Sequence, residues 1–220
     1  MKKGLTELVF ILDRSGSMSG LEADTIGGYN AMLEKQKKES GEAVITTVLF
    51  DDSYEVLHDR ISLRSIEPMT DQAYFVRGTT ALLDAVGKTI VTISNAQKRA
   101  AEGERAENVM VVITTDGMEN ASKEFNDEKV RNLIEQHKSQ YGWEFLFLGA
   151  NIDAIATANR FGIEEDRATN YYADSDGTQL NYEVISETIS SLRAHNKIDE
   201  NWKERIEADY RQLRQAGRIK

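Results

Sequence analysis

Along the chain, short unbroken apolar runs alternate with longer stretches in which apolar residues return every third or fourth position. "TELVFILD" (Thr6–Asp13) is a run of the first kind and reads as a buried strand. "EADTIGGYNAMLEKQKKES" (Glu22–Ser40) is of the second kind, a helix with Ile26, Tyr29, Met32 and Leu33 near one face. "AVITTVLFDD" and "SYEVLHDRI" follow as two strands. Asp51-Asp52-Ser53 between them suits a tight turn, so the pair is expected to be antiparallel. Pro68, the only proline, lies in a connection ahead of the next helical stretch.

The alternation then repeats. "TALLDAVGKTIVTISNAQKRAAEGE" reads as a long helix with Leu82, Leu83, Val86, Ile90 and Ile93 on its apolar side. "NVMVVITTDG" is a buried strand, "DEKVRNLIEQHKSQY" an amphipathic helix and "WEFLFLGA" a strand. "IDAIATANRFG" is a helix, "ATNYYA" a short strand and "TQLNYEVISETISSLRAH" a helix. Strands without polar alternation, spaced by helices, predict an α/β fold of the doubly wound kind. The expected sheet is central and mostly parallel, with one antiparallel edge strand and helices on both faces. Residues 1–195 are read as this domain and 196–220 as a C-terminal helical extension. In the extension Trp202, Ile206, Tyr210 and Leu213 fall at helical spacing on an otherwise charged segment. Such a stripe serves either a terminal helix packed back on the domain or a helix that docks on a partner.

Charge and composition narrow the classes. A net charge of −10 argues against broad binding to a nucleic-acid backbone. It is uneven: Arg193 to Lys220 carries +3, which leaves −13 for the rest. There is no cysteine, hence no disulfide framework and no thiolate ligand, and a reducing cytoplasm is the expected compartment. The apolar run at the start, Leu8–Leu12, is too short for a signal sequence and closes on Asp13; no segment has the apolar length of a membrane span. The chain is read as soluble and unexported.

The chemistry gathers at strand ends. "FILDRSGSMSG" closes a buried strand on Asp13 and then places Ser15 and Ser17 at alternate positions, with Gly16 relaxing the turn. Asp116 ends "NVMVVITTDG", and "RGTTALLDA" brings Thr79 and Thr80 just ahead of a helix. Ligands of open α/β sheets bind outside the carboxyl ends of the strands. If the two aspartate strands are neighbours, Asp13, Ser15, Ser17 and Asp116 meet, with Thr79 or Thr80, as an all-oxygen set. Such a set suits a hard divalent cation. A small, water-rich shell favours Mg²⁺, with Mn²⁺ or Ca²⁺ open.

These residues resemble the metal-ion-dependent adhesion site of the von Willebrand factor type A (vWA) family. That site is written D-x-S-x-S, then a threonine two residues beyond a glycine, then an aspartate at a later strand end. Here the parts are Asp13-Arg14-Ser15-Gly16-Ser17, Thr80 after Gly78, and Asp116. The resemblance covers about Glu7 to His195, and "DRSGSM" with "TALLDA" is most similar to the bacterial, intracellular branch that includes tellurium-resistance-associated members. It implies a Rossmann-like fold and a binding module without catalysis. Ser15 and Ser17 would ligate the metal directly, Thr80 directly or through water, and Asp13 and Asp116 largely through water. The remaining position would take a carboxylate from an Asp or Glu of a protein partner.

Each residue also has an ordinary use. Ser17 or Ser19 can cap the next helix, Thr79 can bond local backbone, Asp84 suits a helix first turn, and Glu119 and Asn120 suit a polar turn. His58, His137 and His195 are dispersed and read as surface residues. Other functions fit less well. A metal-dependent phosphatase or phosphotransferase of the D-x-D kind lacks its second aspartate, which is Ser15 here. "GSMSG" centres on Met18, so it is not a nucleophile elbow, and no dinucleotide fingerprint follows the first strand. A scaffold that binds through the C-terminal helix is the other alternative.

Overall fold

The computed structural model describes residues 1–217; the last three residues of the expected 196–220 extension lie outside the described residues. Strands β1 (Lys2–Asp13), β2 (Glu42–Phe50), β3 (Tyr54–Ser62), β4 (Ala106–Thr115), β5 (Glu144–Ala150) and β6 (Ala168–Tyr171) form one sheet among the described residues, in the order β3-β2-β1-β4-β5-β6. All neighbours are parallel except β2 and β3. This is the doubly wound sheet with one antiparallel edge strand that the apolar runs predict. β1 lies between β2 and β4, so Asp13 and Asp116 stand at adjacent strand ends.

Helices α1 (Glu22–Gln36), α2 (Leu82–Arg99), α3 (Asp127–Tyr141), α4 (Ala154–Arg160), α5 (Ser175–His195) and α6 (Glu204–Gln215) cover the sheet. The side-chain alternation of β1 divides the core. Leu8, Phe10 and Leu12 pack toward α1 and α5; Val9 and Ile11 pack toward α2, α3 and α4. Because both faces are covered, β1 is buried without a break from Leu5 to Asp13.

Several boundaries differ from the periodicity. β1 begins four residues before Thr6, at Lys2, through a register shift beside Gly4 (φ 74°). α1 ends at Gln36 rather than Ser40. Arg193 of α5 donates to the Gln36, Ser40 and Gly41 carbonyls there and satisfies the helix end. α5 starts earlier than Thr178, because Asp174 accepts the Gly177 N–H as an N-cap. α3 runs over the residues its pattern predicts, between the Asn126 cap and left-handed Gly142.

Two histidines are not surface residues. His58 is buried because the pairing of β2 with β3 is irregular around Thr47, and its Nδ1 lies 3.0 Å from Thr47 Oγ1. His137 shares the apolar side of α3 with Val130 and Ile134. Its Nδ1 lies 2.7 Å from the Leu133 carbonyl, and its ring centroid lies 4.4 Å from that of Trp143. Burial holds both imidazoles below their usual pKa. His195 is exposed, as expected.

The segment after α5 packs onto the domain. Ile198, Trp202 and Ile206 are buried in the α1/α5 side of the core, and Trp202 Nε1 donates to the Asp166 carbonyl at 2.7 Å.

Candidate metal centre

The crest of the sheet gathers side chains from three loops. The first leaves β1 and makes one tight 3-10 turn, Gly16–Met18. Asp13 is buried there, with Oδ1 accepting the Ser15 N–H at 2.7 Å and Oδ2 accepting the Thr115 hydroxyl at 2.6 Å. Tyr74 donates its hydroxyl to the Asp13 carbonyl at 2.6 Å and fixes the end of the strand. Ser15 and Ser17 project together, their Oγ atoms 3.2 Å apart. Neither Ser17 nor Ser19 caps α1: its N-cap is Leu21, which makes no side-chain cap, and Glu22 accepts the Gly20 N–H.

The second loop precedes α2. Gly78 adopts a left-handed conformation (φ 66°), and its carbonyl accepts the Gly16 N–H at 3.2 Å. Two residues on, Thr80 is buried and donates its hydroxyl to Ser15 Oγ at 3.0 Å, whereas Thr79 is exposed. The third loop follows β4. Asp116 is buried and accepts the Asn151 carboxamide on Oδ1. Gly117 then passes so close that a Cβ there would sit 2.9 Å from Thr80 Oγ1 and 3.1 Å from Ser17 Oγ. The structure thus brings Asp13, Ser15, Ser17, Thr80 and Asp116 to one crest.

The neighbouring polar residues face elsewhere. Glu119 accepts the Leu83, Ala121 and Ser122 N–H groups, so it serves the start of α2. Asn120 accepts the Thr80 N–H at 3.0 Å. Asp84 is a first-turn acid, as expected, and also accepts three N–H groups from Lys123, Glu124 and Phe125. Burial pushes its carboxyl up, but those donors outweigh it and hold it below the usual range.

The electrostatics suit a cation. Burial raises Asp13 above the usual carboxylate range against the pull of its hydrogen bonds. Asp116 is pushed up to about 6 by burial, with the Asn151 bond opposing and the Asp13 charge adding. A bound divalent ion would relieve both. Among the described residues no three Asp, Glu, His or Cys side chains gather as a metal group, so any ligand set at the crest depends on its hydroxyls. Five oxygen donors, two of them carboxylates, fit a hard cation that retains water.

Sequence reasoning missed Thr115, Asn151 and Tyr74. Thr115 sits beside Asp116 and had a local signal. Asn151 and Tyr74 reach the crest only through the fold.

No family model and no curated protein matches the sequence. Solved structures do match. The von Willebrand factor domain of the type V pili tip protein Mfa5 from Porphyromonas gingivalis superposes with TM-score 0.61 at 12% identity, over 89% of this chain and 98% of that one. Proximal thread matrix protein 1 from the mussel byssus, with a zinc-occupied MIDAS motif, gives 0.56 at 16%, over 84% and 46%. The von Willebrand factor type A protein from Catenulispora acidiphila gives 0.56 at 12%, over 84% and 42%. The chain therefore spans less than half the length of the latter two. Its fold is that of the von Willebrand factor type A domain.

Proposed function

We propose that this chain is a divalent-cation-dependent protein-binding module of the vWA family. Asp13, Ser15, Ser17, Thr80 and Asp116 hold Mg²⁺, with Mn²⁺ or Ca²⁺ as alternatives, and an Asp or Glu of a partner protein completes the shell. The observation that carries the reading is the convergence of three hydroxyls from two loops, Ser15 to Ser17 at 3.2 Å and Thr80 to Ser15 at 3.0 Å, between two buried carboxylates. A bound cation supplies a Lewis-acidic point that a carboxylate can reach. The chain's own part is to aim neutral donors, of which Ser17 is exposed while Ser15 and Thr80 are buried.

Phosphoryl transfer fits poorly. Both oxygens of Asp13 already accept hydrogen bonds and the side chain is buried, so it is ill placed as a nucleophile. The scaffold reading is weakened because Trp202 and Ile206, half of the C-terminal stripe, are taken up inside the fold. We therefore assign no enzymatic activity. We further infer a bacterial, cytoplasmic protein of the intracellular vWA branch, on the cysteine-free sequence and the "DRSGSM" resemblance. No helix among the described residues is long and apolar enough to cross a membrane.

Titration calorimetry on EDTA-stripped protein tests the site. Saturable Mg²⁺ or Mn²⁺ binding is expected, lost in Asp13→Ala and Asp116→Ala with the fold retained. Partner capture should be released by EDTA and restored by Mg²⁺. Capture that persists in both variants would overturn the site assignment.

A further inference from the structure

Beside the crest, at the same end of the sheet, lies a second charged assembly, centred on Asp51 at the turn that follows β2. Its side chain is fully buried. Oδ2 accepts Arg14 Nε at 3.1 Å and Arg77 Nε at 2.6 Å, and Oδ1 accepts the Ser53 N–H at 2.6 Å. Its backbone carbonyl accepts the Ala81 N–H at 2.8 Å. Burial pushes this carboxyl up, but Arg77, Ser53 and Arg14 together hold it below its usual range.

The two arginines belong to the two hydroxyl-bearing loops. Arg14 stands between Asp13 and Ser15 and is itself fully buried, an uncommon place for a guanidinium. It also donates to Glu55 Oε2 at 2.7 Å and to the Ala73 carbonyl at 3.3 Å. Arg77 stands three residues before Thr80, and its N–H donates to the Arg14 carbonyl at 3.0 Å. Phe75 is shared by both, with the Arg14 and Arg77 guanidinium carbons 5.4 and 5.3 Å from its ring centroid. Asp51 thus grips the Ser15 loop through Arg14, and the Thr80 loop on both sides through Arg77 and Ala81.

We propose that Asp51, with Arg14 and Arg77, is the positioning group of the metal centre: it sets the Ser15 and Thr80 loops at ligating separation before any cation arrives. The proposal rests on the reading of the crest as a metal site. Asp51 touches none of the ligand side chains, so its effect runs through loop geometry. Two hydroxyls 3.0 Å apart on separate loops are an ordered pair only while those loops are fixed. Outer residues that orient metal ligands typically change affinity by roughly 10–100-fold when replaced.

The test compares the wild-type 220-residue chain with Asp51→Asn, Arg77→Gln and Gln36→Ala. The last removes a buried side chain at the far end of α1 and reports destabilisation alone. Two readouts are taken on each. Calorimetry with Mg²⁺ and Mn²⁺ gives affinity, and amide hydrogen exchange without metal follows the Gly16 N–H, which bridges the Ser15 and Thr80 loops, and the Ala81 N–H, which ties the Thr80 loop to Asp51. Asp51→Asn should weaken metal binding roughly tenfold or more and speed both amides together. Gln36→Ala should leave both unchanged relative to its global stability. If Asp51→Asn does not fold, Arg77→Gln, whose side chain is part-exposed, removes the Asp51 ion pair of the Thr80 loop together with its contacts to Phe75 and Glu55, leaves the Arg14–Asp51 pair in place, and should shift both readouts the same way. Wild-type affinity and unchanged exchange in the Asp51 or Arg77 variant would overturn the proposal. A wild type that binds no metal overturns the site reading instead. In that case coupled loosening of the two amides still supports loop positioning by Asp51, and its absence refutes it.

Discussion

Asn120 holds Thr80 by both edges of its backbone. The Asn120 carboxamide oxygen accepts the Thr80 N–H at 3.0 Å, and the Asn120 N–H donates to the Thr80 carbonyl at 3.0 Å. The loop after β4, which carries Asp116, is in this way hinged to the loop that carries Thr80. Asn120→Ala removes the side-chain half of the clamp. One hydrogen bond at a part-buried amide contributes about 1 kcal/mol, so a small loss of stability is expected. The larger effect should fall on metal affinity, because Thr80 gains freedom. Urea unfolding read beside Mn²⁺ titration checks this; a stability loss with unchanged affinity would mean that the Asn120 side chain does not position Thr80 for the metal, the backbone bonds to its carbonyl sufficing.

Gly117 separates site from fold more sharply. Its added Cβ would meet the Thr80 and Ser17 hydroxyls at 2.9 and 3.1 Å, within the space they share. The hydroxyls can rotate away, and Gly117 is not among the glycines with positive φ, so Gly117→Ala should fold. Metal binding should be abolished or reduced more than tenfold, with the melting temperature nearly unchanged. A variant that binds Mg²⁺ normally would place the cation elsewhere.

Much of this was legible along the chain, for reasons that particular residues make clear. Strands β1, β4 and β5 are buried on both faces, so their apolar runs needed no partner to be read. Asp13 and Asp116 end such runs, and their meeting follows from sheet order alone. Arg14 was hidden in the motif as an unspecified position, and Asp51 looked like an ordinary turn acid. Their pairing depends on β2 lying beside β1, a relation between residues 37 apart in sequence. His58 was misread because an irregularity in β2–β3 pairing, invisible to period-two alternation, turns it inward. His137 was misread because its partner, Trp143, lies beyond the helix that carries it.

The crest also sets a pH dependence. In the metal-free fold Asp116 keeps its proton up to about 6, against 3.8 for an unperturbed aspartate. The folded state therefore binds more protons between those values. The stability this confers is fully present below 3.8 and is lost as pH rises through about 6. The full shift corresponds to roughly 3 kcal/mol at most. The buried neutral histidines act oppositely, since unfolding lets them take up protons below about 6.5. Mg²⁺ should replace the proton as the partner of Asp116, so its stabilisation should be greatest above pH 6.5 and should shrink at pH 5. Thermal melts with and without Mg²⁺ at these two pH values, repeated on Asp116→Asn, check the sign. Equal Mg²⁺ stabilisation at both would show that Asp116 does not titrate against the metal.

The C-terminal segment calls for a different dissection from simple deletion. Ile198, Trp202 and Ile206 lie in the core on the α1/α5 side, and Lys203 Nζ donates to the Glu165 and Ala168 carbonyls beside β6. Burial of each such large apolar side chain contributes about 1.5–3 kcal/mol. Removing residue 197 onward should thus cost roughly 5 kcal/mol, a large fraction of the stability of a typical domain. Loss of partner capture in that truncation would say nothing about where the partner binds. Tyr210 and Leu213 are only part-buried, so Tyr210→Ser with Leu213→Ser leaves the inner contacts intact. Urea unfolding should show less than about 2 kcal/mol of loss in this pair and a much larger loss in the truncation. Partner capture should survive the surface pair and fail in Gly117→Ala; the reverse pattern would move recognition from the crest to the helix.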